Sequence, residues 1–467
     1  MEKVRIGFVP VHRAFFSEDW AVQMRERTLK ALEKIETIEV IVPDESVTKS
    51  GLVTTEEDAL NAVDFFREQD VEGLLFGTMT FGDELAALTV AEQMQDLPML
   101  LFGTKEGPFT ADGNRLSDSF CGTLSLASGL YRRRIPFLFS GIHFPEEKEF
   151  AENIRSFART CYAIGDFFGA RIGMVGPRPE PFETCAFNEI TMIQQFGQRV
   201  VPTTLVETFS AARAIPDDDP EVLEIVNEIK EKTAGCIEVS EEALLKSAKL
   251  ELVLQKFAED NNLAGMGVQC WTAMQTEYGI SSCTAMGRLT EKGIMTSCEV
   301  DIHGALTMLL QYGAALHETV PHFIDWTIQH QEKENVFLAW HCGNAPICLA
   351  AKGAPICLRS HSILSNTLGT EPCQGTAEFP LAPGTVTLNR LVEHDGIFKL
   401  LITKGEILPP TQELRGSWSW VEVPDLKKLY RTLVEEGFVH HASMIHGDFT
   451  VPLENLCKFL DIEAVVV

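Results

Sequence analysis

Four short segments in the second half of the chain each carry a side chain able to hold a divalent cation. They are Glu299 in TSCEVDIHGA, Asp325 in PHFIDW, His341 in LAWHCGNAP, and the pair His440 and His441 in GFVHHASMIHGDF. Two carboxylates and two imidazoles from separate segments make a mixed nitrogen–oxygen donor set. Such a set suits manganese, or another divalent ion of its kind, better than a closed thiolate zinc site. Each residue alone also has a plainer reading. Glu299 lies where a strand gives way to a helix and could merely complement the helix dipole, a role that Asp301 fits better. Asp325 sits beside Trp326 in apolar surroundings, where an unpaired carboxylate is costly unless a cation or donors meet it. A turn or capping aspartate would need neither. A lone histidine such as His341 is more often a hydrogen-bonded core residue than a ligand. His440 and His441 are adjacent, so on an extended segment they face opposite sides and only one serves the site. Small Ala442 and Ser443 beyond the pair favour His441, with His440 as the alternative.

Competing motifs fail on spacing. HETVPH places His317 and His322 at HExxxH rather than HExxH, with Pro321 inside, which excludes a zinc-protease helix. GMGVQC lacks the third glycine of a dinucleotide fingerprint, and neither a Walker loop nor a GxSxG elbow occurs.

The elements that must position these residues follow from hydrophobic periodicity. VRIGFVPV, IEVIVPD, VEGLLFGTM and PMLLFGT read as strands, alternating with helices over SEDWAVQMRERTLKALEKI, TEEDALNAVDFFREQ and about 83–95. A second α/β series is expected from near Ser117, with RIPFLFSGIHF, ARIGMVGPRP and QRVVPTTLVE as strands and one long helical region over about 220–262. AGMGVQCW and GIMTSCEV are two further buried strands, which puts Trp271 and Glu299 at carboxyl ends, where open α/β sheets bind ligands. After about Asn335 the helical period gives way to short β runs such as GTVTLNRLV and SWSWVEVP, then a helix, the histidine pair, and a last helix and strand. The expected fold is α/β: two doubly wound parallel-sheet domains, 1–115 and 116–335, followed by a mainly antiparallel β domain, 336–467.

Composition bounds the function. A net charge of -28 argues against a nucleic-acid surface and against anionic lipid. The N-terminus lacks a basic region and cleavage site, the longest apolar runs fall short of a membrane span, and twelve cysteines without a CxxC pair read as reduced thiols. A cytoplasmic protein is expected, with a small-molecule substrate and neither nucleic-acid nor membrane partner.

The joint order of the four segments resembles the L-fucose isomerase and L-arabinose isomerase superfamily of ketol isomerases. CEVDIHGALTM is similar to a GEGDWKTAALL-like segment of the arabinose branch that carries a metal-binding glutamate, implying Glu299. FIDW resembles the segment that supplies the second acidic ligand, implying Asp325, and AWHCGNAP is similar to a GSHMLEVCP-like stretch, implying His341. GFVHHAS…DIEAVVV resembles a C-terminal GGAHHT…DIEITVI. The resemblance covers the chain well from about Ala264 onward and is one of architecture before that.

It implies an aldose–ketose isomerase that moves a proton between C1 and C2 of an open-chain sugar through an ene-diol. Glu299 and Asp325 would be base and acid as well as ligands, and His341 and His441 would complete the shell of Mn2+ or another divalent cation. His440 would stand behind the shell or touch substrate, and Trp271 would line the pocket. The family also implies a trimer-based homo-oligomer in which VPVHRAFF, with His12 and Arg13, reaches a neighbour's site. Two alternatives remain. One is an isomerase of an anionic hexose, sulfonated or phosphorylated, for which His12, Arg13, Arg178 and Arg359 are available cations. The other is a sugar-binding protein on the same fold without turnover.

Overall fold

The protein is described by a computed structural model over residues 3–233 and 235–467. The chain divides into two compact units, one ending at Gly165 and the other running from Asp166 to Val467.

In the first unit the apolar runs form the strands Val4–Val11, Ile38–Ile41, Gly73–Thr78 and Met99–Thr104 of a five-stranded parallel sheet. Gly73–Thr78 and Met99–Thr104 are buried along their whole length, as strands covered on both faces must be. The helices start where the sequence supplies caps. Ser17 accepts from Trp20 N to open Glu18–Leu32, and Thr55 with Asp58 forms a capping box on Glu56–Glu68. The fifth strand, Leu138–His143, pairs with Met99–Thr104 and so belongs to this sheet, whereas the sequence reading opened the second α/β series with it. A strand run does not state which sheet it joins. Here the helix Ser119–Arg133, closed by a left-handed cap at Arg134, returns the chain to the same sheet.

In the second unit a four-stranded parallel sheet runs in the order Arg199–Thr203, Arg171–Val175, Gly265–Val268, Met295–Ser297. The expected long helical region is broken in two. Asp219 with Pro220 starts Pro220–Lys232, and Ser240 starts Glu241–Asn261, because each supplies the side-chain acceptor that a new helix start needs. The C-terminal sheet has nine strands, mostly antiparallel, and begins at His322–Gln329, before the change in composition near Asn335. Its core is packed from residues such as Ile324, Phe337, Leu388, Leu401 and Met444.

One helix ties the two sheets of this unit together. Ile302–Ala314 is buried at nearly every position and packs on Gly265–Val268 and Met295–Ser297 as well as on Gly384–His394 and His441–His446. Gln311, fully buried, donates to Thr387 O, Asn389 Oδ1 and Ser443 O and so pins the helix across two strands. Thr307 Oγ1 accepts from Leu391 N at 3.0 Å.

The cysteine expectation is corrected at one pair. A parallel bridge between Ile237 and Leu358 brings Cys236 and Cys357 to a Cα–Cα distance of 4.7 Å, and they form a disulfide. A separation of 121 residues hides this pairing from sequence. Among the described residues no helix is long and apolar enough to cross a membrane.

Gly267 sets the approach of the loop before that helix, since a Cβ there would sit 2.9 Å from Val300 C and Cα. Gly267→Ala is therefore expected to cost about 1–3 kcal/mol in urea unfolding. A stability unchanged within error would show that the loop yields freely.

Candidate active site

The strand Met295–Ser297 runs into Cys298, Glu299, Val300 and Asp301 before the helix begins at Ile302. Glu299 and Val300 both adopt the left-handed conformation, with φ of 51° and 59°. For a β-branched valine this is strained, by about 1–3 kcal/mol, and it persists only where the surroundings over-determine it. Four bonds do so: Val300 N to Val268 O, Asp301 N to Cys298 O, Ser297 Oγ to Asp301 O, and Gly304 N to Asp301 Oδ1.

The kinked turn delivers Glu299, 3% exposed, with Oε2 3.3 Å from His441 Nε2. Asp325 and His441 are register partners on adjacent antiparallel strands, so their side chains share a face, and Asp325 Oδ1 lies 3.7 Å from His441 Nε2. His341, at the end of Val336–His341, places a ring nitrogen within 4.8 Å of donor atoms of Glu299 and His441. The structure thus brings Glu299, Asp325, His341 and His441 together. His440 is exposed beside them, its ring 4.0 Å from that of His441, and also lies within reach of Asp325.

The donor set fits a divalent cation. Glu299 Oε2 and Asp325 Oδ1 are buried without a hydrogen bond and converge on the same imidazole nitrogen. The His441 ring at 3.3 and 3.7 Å is their one charged neighbour among the described residues, and two buried carboxylates sharing a single imidazole are costly unless a further cation meets them. Burial raises the Asp325 carboxyl to about 7, with His441 opposing and Glu299 adding to the rise. Burial and the neighbouring imidazoles hold His341 well below the ordinary histidine range, so its ring is neutral and offers a lone pair.

Asp301 and Arg390 have a part that sequence reasoning missed. Asp301 does cap the helix through Gly304 N, but it also accepts from His441 Nδ1 at 2.8 Å and from both terminal nitrogens of Arg390. Asp301, Arg390 and His441 are each 1% exposed. Burial would raise the Asp301 carboxyl, but Arg390 and His441 overcome it and hold the group far below the usual range. Burial would likewise lower His441, but Asp301, Cys185 and Glu299 hold it well above the ordinary value. With Nδ1–H committed to Asp301, Nε2 is the nitrogen presented to Glu299 and Asp325. The available signal was Arg390 itself, a cation inside the apolar strand run TLNRLV.

The remaining sequence candidates fall in separate places. Trp271 is half-buried and contacts Phe182, whose ring lies 6.2 Å from that of His440, and both line a cavity of about 340 Å³ with Gln269. His12 and Arg13 belong to the first unit. His12 is buried against Thr80 Oγ1, and Arg13 lies 4.3 Å over the Phe81 ring. Arg178 is on the loop that carries Phe182 and donates to the carbonyls of Pro179 and Glu180. Arg359 is committed to Glu238 and Glu378.

Two outcomes test this electrostatic arrangement. Asp301→Asn should weaken divalent-ion affinity by about 10–100-fold, read by calorimetric titration, because the imidazole loses its anionic anchor. The second concerns Asp325. An acid whose pKa rises on folding, here from 3.8 to about 7, destabilises the fold once ionised. The penalty is absent below the lower value and complete above the upper one. Metal-stripped Asp325→Asn should therefore melt higher than the parent at pH 8 and equally at pH 3.5, and added divalent ion should reverse the order at pH 8. A pH-independent difference would remove the carboxyl as its cause.

Known proteins align with this chain at both ends. Residues 7–167 match the N-terminal domain of the fucose/sulfoquinovose isomerase family, and residues 339–467 match the C-terminal domain of L-fucose isomerase. A sulfoquinovose isomerase of Alkalicoccus urumqiensis is 26% identical over 98% of each chain. Those of Priestia megaterium and of Clostridium sp. (strain MSTE9) are 25% and 24% identical over the full length of both chains. The C-terminal match begins at Ala339 and takes in His341 and His441, while Glu299 and Asp325 precede it in the same structural unit. The chain belongs, as a divergent branch, to the fucose isomerase-like family of aldose–ketose isomerases.

Proposed function

We propose that the protein interconverts a sulfonated aldohexose of the sulfoquinovose type and its ketose, in the cytoplasm, using Mn2+ or another divalent ion. The observation that carries the catalytic reading is the convergence of the two unpaired carboxylate oxygens, Glu299 Oε2 and Asp325 Oδ1, on His441 Nε2. The sulfonated substrate rests on the full-length relatives, each named a sulfoquinovose isomerase.

Glu299, Asp325, His341 and His441 would hold the ion. When bound, it would supply positive charge against the oxygens of the ene-diol. The proton work falls to the carboxyl groups. Glu299 takes the proton from C2 of the open-chain aldose, Asp325 gives one to C1, and the C2 hydroxyl proton passes to the C1 oxygen. The C1 carbonyl becomes a hydroxyl and the C2 hydroxyl a carbonyl, with no net oxidation, and solvent exchange resets both acids. Trp271 and Phe182 provide an aromatic wall for the sugar, with His440 at its edge. Arg178 on the same loop is the candidate partner of the sulfonate, joined by His12 and Arg13 of a neighbouring subunit in a trimer-based homo-oligomer.

The test is ketose formation from sulfoquinovose, glucose and L-fucose by the Mn2+-loaded protein. The expected kcat/KM for the sulfonated sugar exceeds that for glucose by at least about 100-fold. Equal values would leave a neutral-sugar isomerase. Ion binding without turnover of any sugar would leave a binding protein. In the same assay Glu299→Gln should lower kcat by roughly two orders of magnitude or more with little change in melting temperature. A native kcat would reduce Glu299 to a helix-end residue.

A further inference from the structure

The two oxygens of Glu299 face different chemistry. Oε2 faces His441 Nε2, while Oε1 lies 3.4 Å from the thiol of Cys270. Cys298, the residue before Glu299, has its sulfur 3.9 Å from His341 Nδ1. One donor atom each from Cys270, Cys298 and Glu299 lies within 4.8 Å of the other two, and all three residues are buried. Nothing in the isomerase chemistry uses either thiol.

We propose that Cys270, Cys298, Glu299 Oε1 and His341 Nδ1 form a second cation site, selective for a soft divalent ion such as Cd2+ or Zn2+, and that its occupation stops turnover by engaging Glu299. Two sulfurs, one oxygen and one nitrogen are the ligand types of a tetrahedral thiolate site and are wrong for a hard, octahedral ion. The spacing also agrees. Bonds of about 2.3 Å to sulfur and 2.0–2.1 Å to nitrogen or oxygen give ligand–ligand edges of about 3.3–3.8 Å in a tetrahedron. Two edges, Cys270 Sγ–Glu299 Oε1 and Cys298 Sγ–His341 Nδ1, are already 3.4 and 3.9 Å, and the two sulfurs lie within 4.8 Å of each other and of Glu299, so His341 is the ligand that must move in. The sulfurs do not sit in a purely apolar pocket, as thiols acting only as small hydrophobes would. Cys270 Sγ accepts from Glu299 N, and Cys298 Sγ accepts from Asn344 Nδ2, each at 3.5 Å. Such bonds orient the sulfurs, while burial and the nearby Glu299 keep both thiols protonated until an ion displaces the protons.

Glu299 then has one carboxylate serving two sites. A hard ion on the Oε2 side leaves the carboxylate able to take a proton. A soft ion on the Oε1 side, binding two thiols that release their protons as it enters, fixes the carboxylate and removes His341 from the nitrogen–oxygen set. Inhibition follows from the geometry rather than from damage to the fold.

The experiment adds Cd2+ to the Mn2+-loaded protein in thiol-free buffer and follows the cadmium–thiolate ultraviolet band together with turnover. Because the band is read independently of activity, failure of the proposed isomerase reaction would not be mistaken for failure of this site. The exposed thiols Cys121 and Cys348 are replaced by serine in the starting protein, so that they contribute no signal. One equivalent per chain should produce the band, with activity falling in parallel, and Cys270→Ala/Cys298→Ala should abolish the band and weaken Cd2+ binding more than about 100-fold. A band that survives the double replacement, or no band in the starting protein, overturns the proposal. Should the double variant not fold, cadmium K-edge absorption on the starting protein decides. Two sulfur neighbours with lighter atoms support the site, and one sulfur or none overturns it.

Discussion

The buried contact among Arg390, Asp301 and His441 is the constraint on which the rest of the second unit depends. Arg390 stands in the middle of Gly384–His394 with 1% of its surface exposed, and a guanidinium there cannot be tolerated without a counter-charge. Asp301 supplies it through two nitrogen–oxygen contacts. Breaking such a buried pair from one side typically costs about 3–5 kcal/mol, because it leaves the partner charge uncompensated. That cost fixes where the helix Ile302–Ala314 begins relative to the nine-stranded sheet, since Asp301 is also its N-cap. The contact therefore joins the parallel sheet, through the loop after Met295–Ser297, to a strand of the C-terminal sheet. It further sets which nitrogen of His441 bears the proton.

The strained turn at Glu299 and Val300 is explicable only against that anchor. Two consecutive non-glycine residues in the left-handed region would relax if either end of the turn were free. One end is held by the ladder of Met295–Ser297 on Gly265–Val268, and the other by Asp301. The close approach of Val300 to Gly267 requires a residue without a side chain on the neighbouring strand. The strain turns Glu299 away from the direction a regular strand-to-helix junction would give it and toward Asp325 and His441, which the sheet has already placed on one face. The candidate ligands therefore sit on two scaffolds that the buried ion pair fastens together beside the contacts of Thr307 and Gln311.

Donor chemistry was legible in the sequence and the supports were not. Glu299, Asp325, His341 and His441 were each ambiguous alone, and it was their joint order along the chain, which resembles that of a known isomerase superfamily, that singled them out. The parallel strands of the first unit were legible as unbroken apolar runs between helices. Asp301 was read as a helix cap, which it is, but a cap and an anchor for histidine look identical from sequence because both need only an aspartate before a helix. Arg390 has no local signal of purpose, since its partner lies 89 residues away. The same limit hid the Cys236–Cys357 pairing and the membership of Leu138–His143 in the first sheet. Periodicity reports burial and element type, whereas long-range partners are set by packing that only the fold supplies.

The thiols next to Glu299 follow from this same separation between donors and supports. The loop that carries Glu299 begins at Cys298, and Cys270 lies two residues past the end of the strand Gly265–Val268, so both sulfurs are brought in by the close packing that positions the carboxylate. Replacing them with larger apolar residues would overfill a space already tight enough to require glycine on the adjoining strand. Cysteine is small enough to fit, and its sulfur accepts the hydrogen bonds that the buried backbone of the turn and Asn344 need to make. The residue type that solves the packing problem therefore places two sulfurs beside Glu299. Glu299 stands between the thiols and His441, with Oε1 toward Cys270 and Oε2 toward the imidazole.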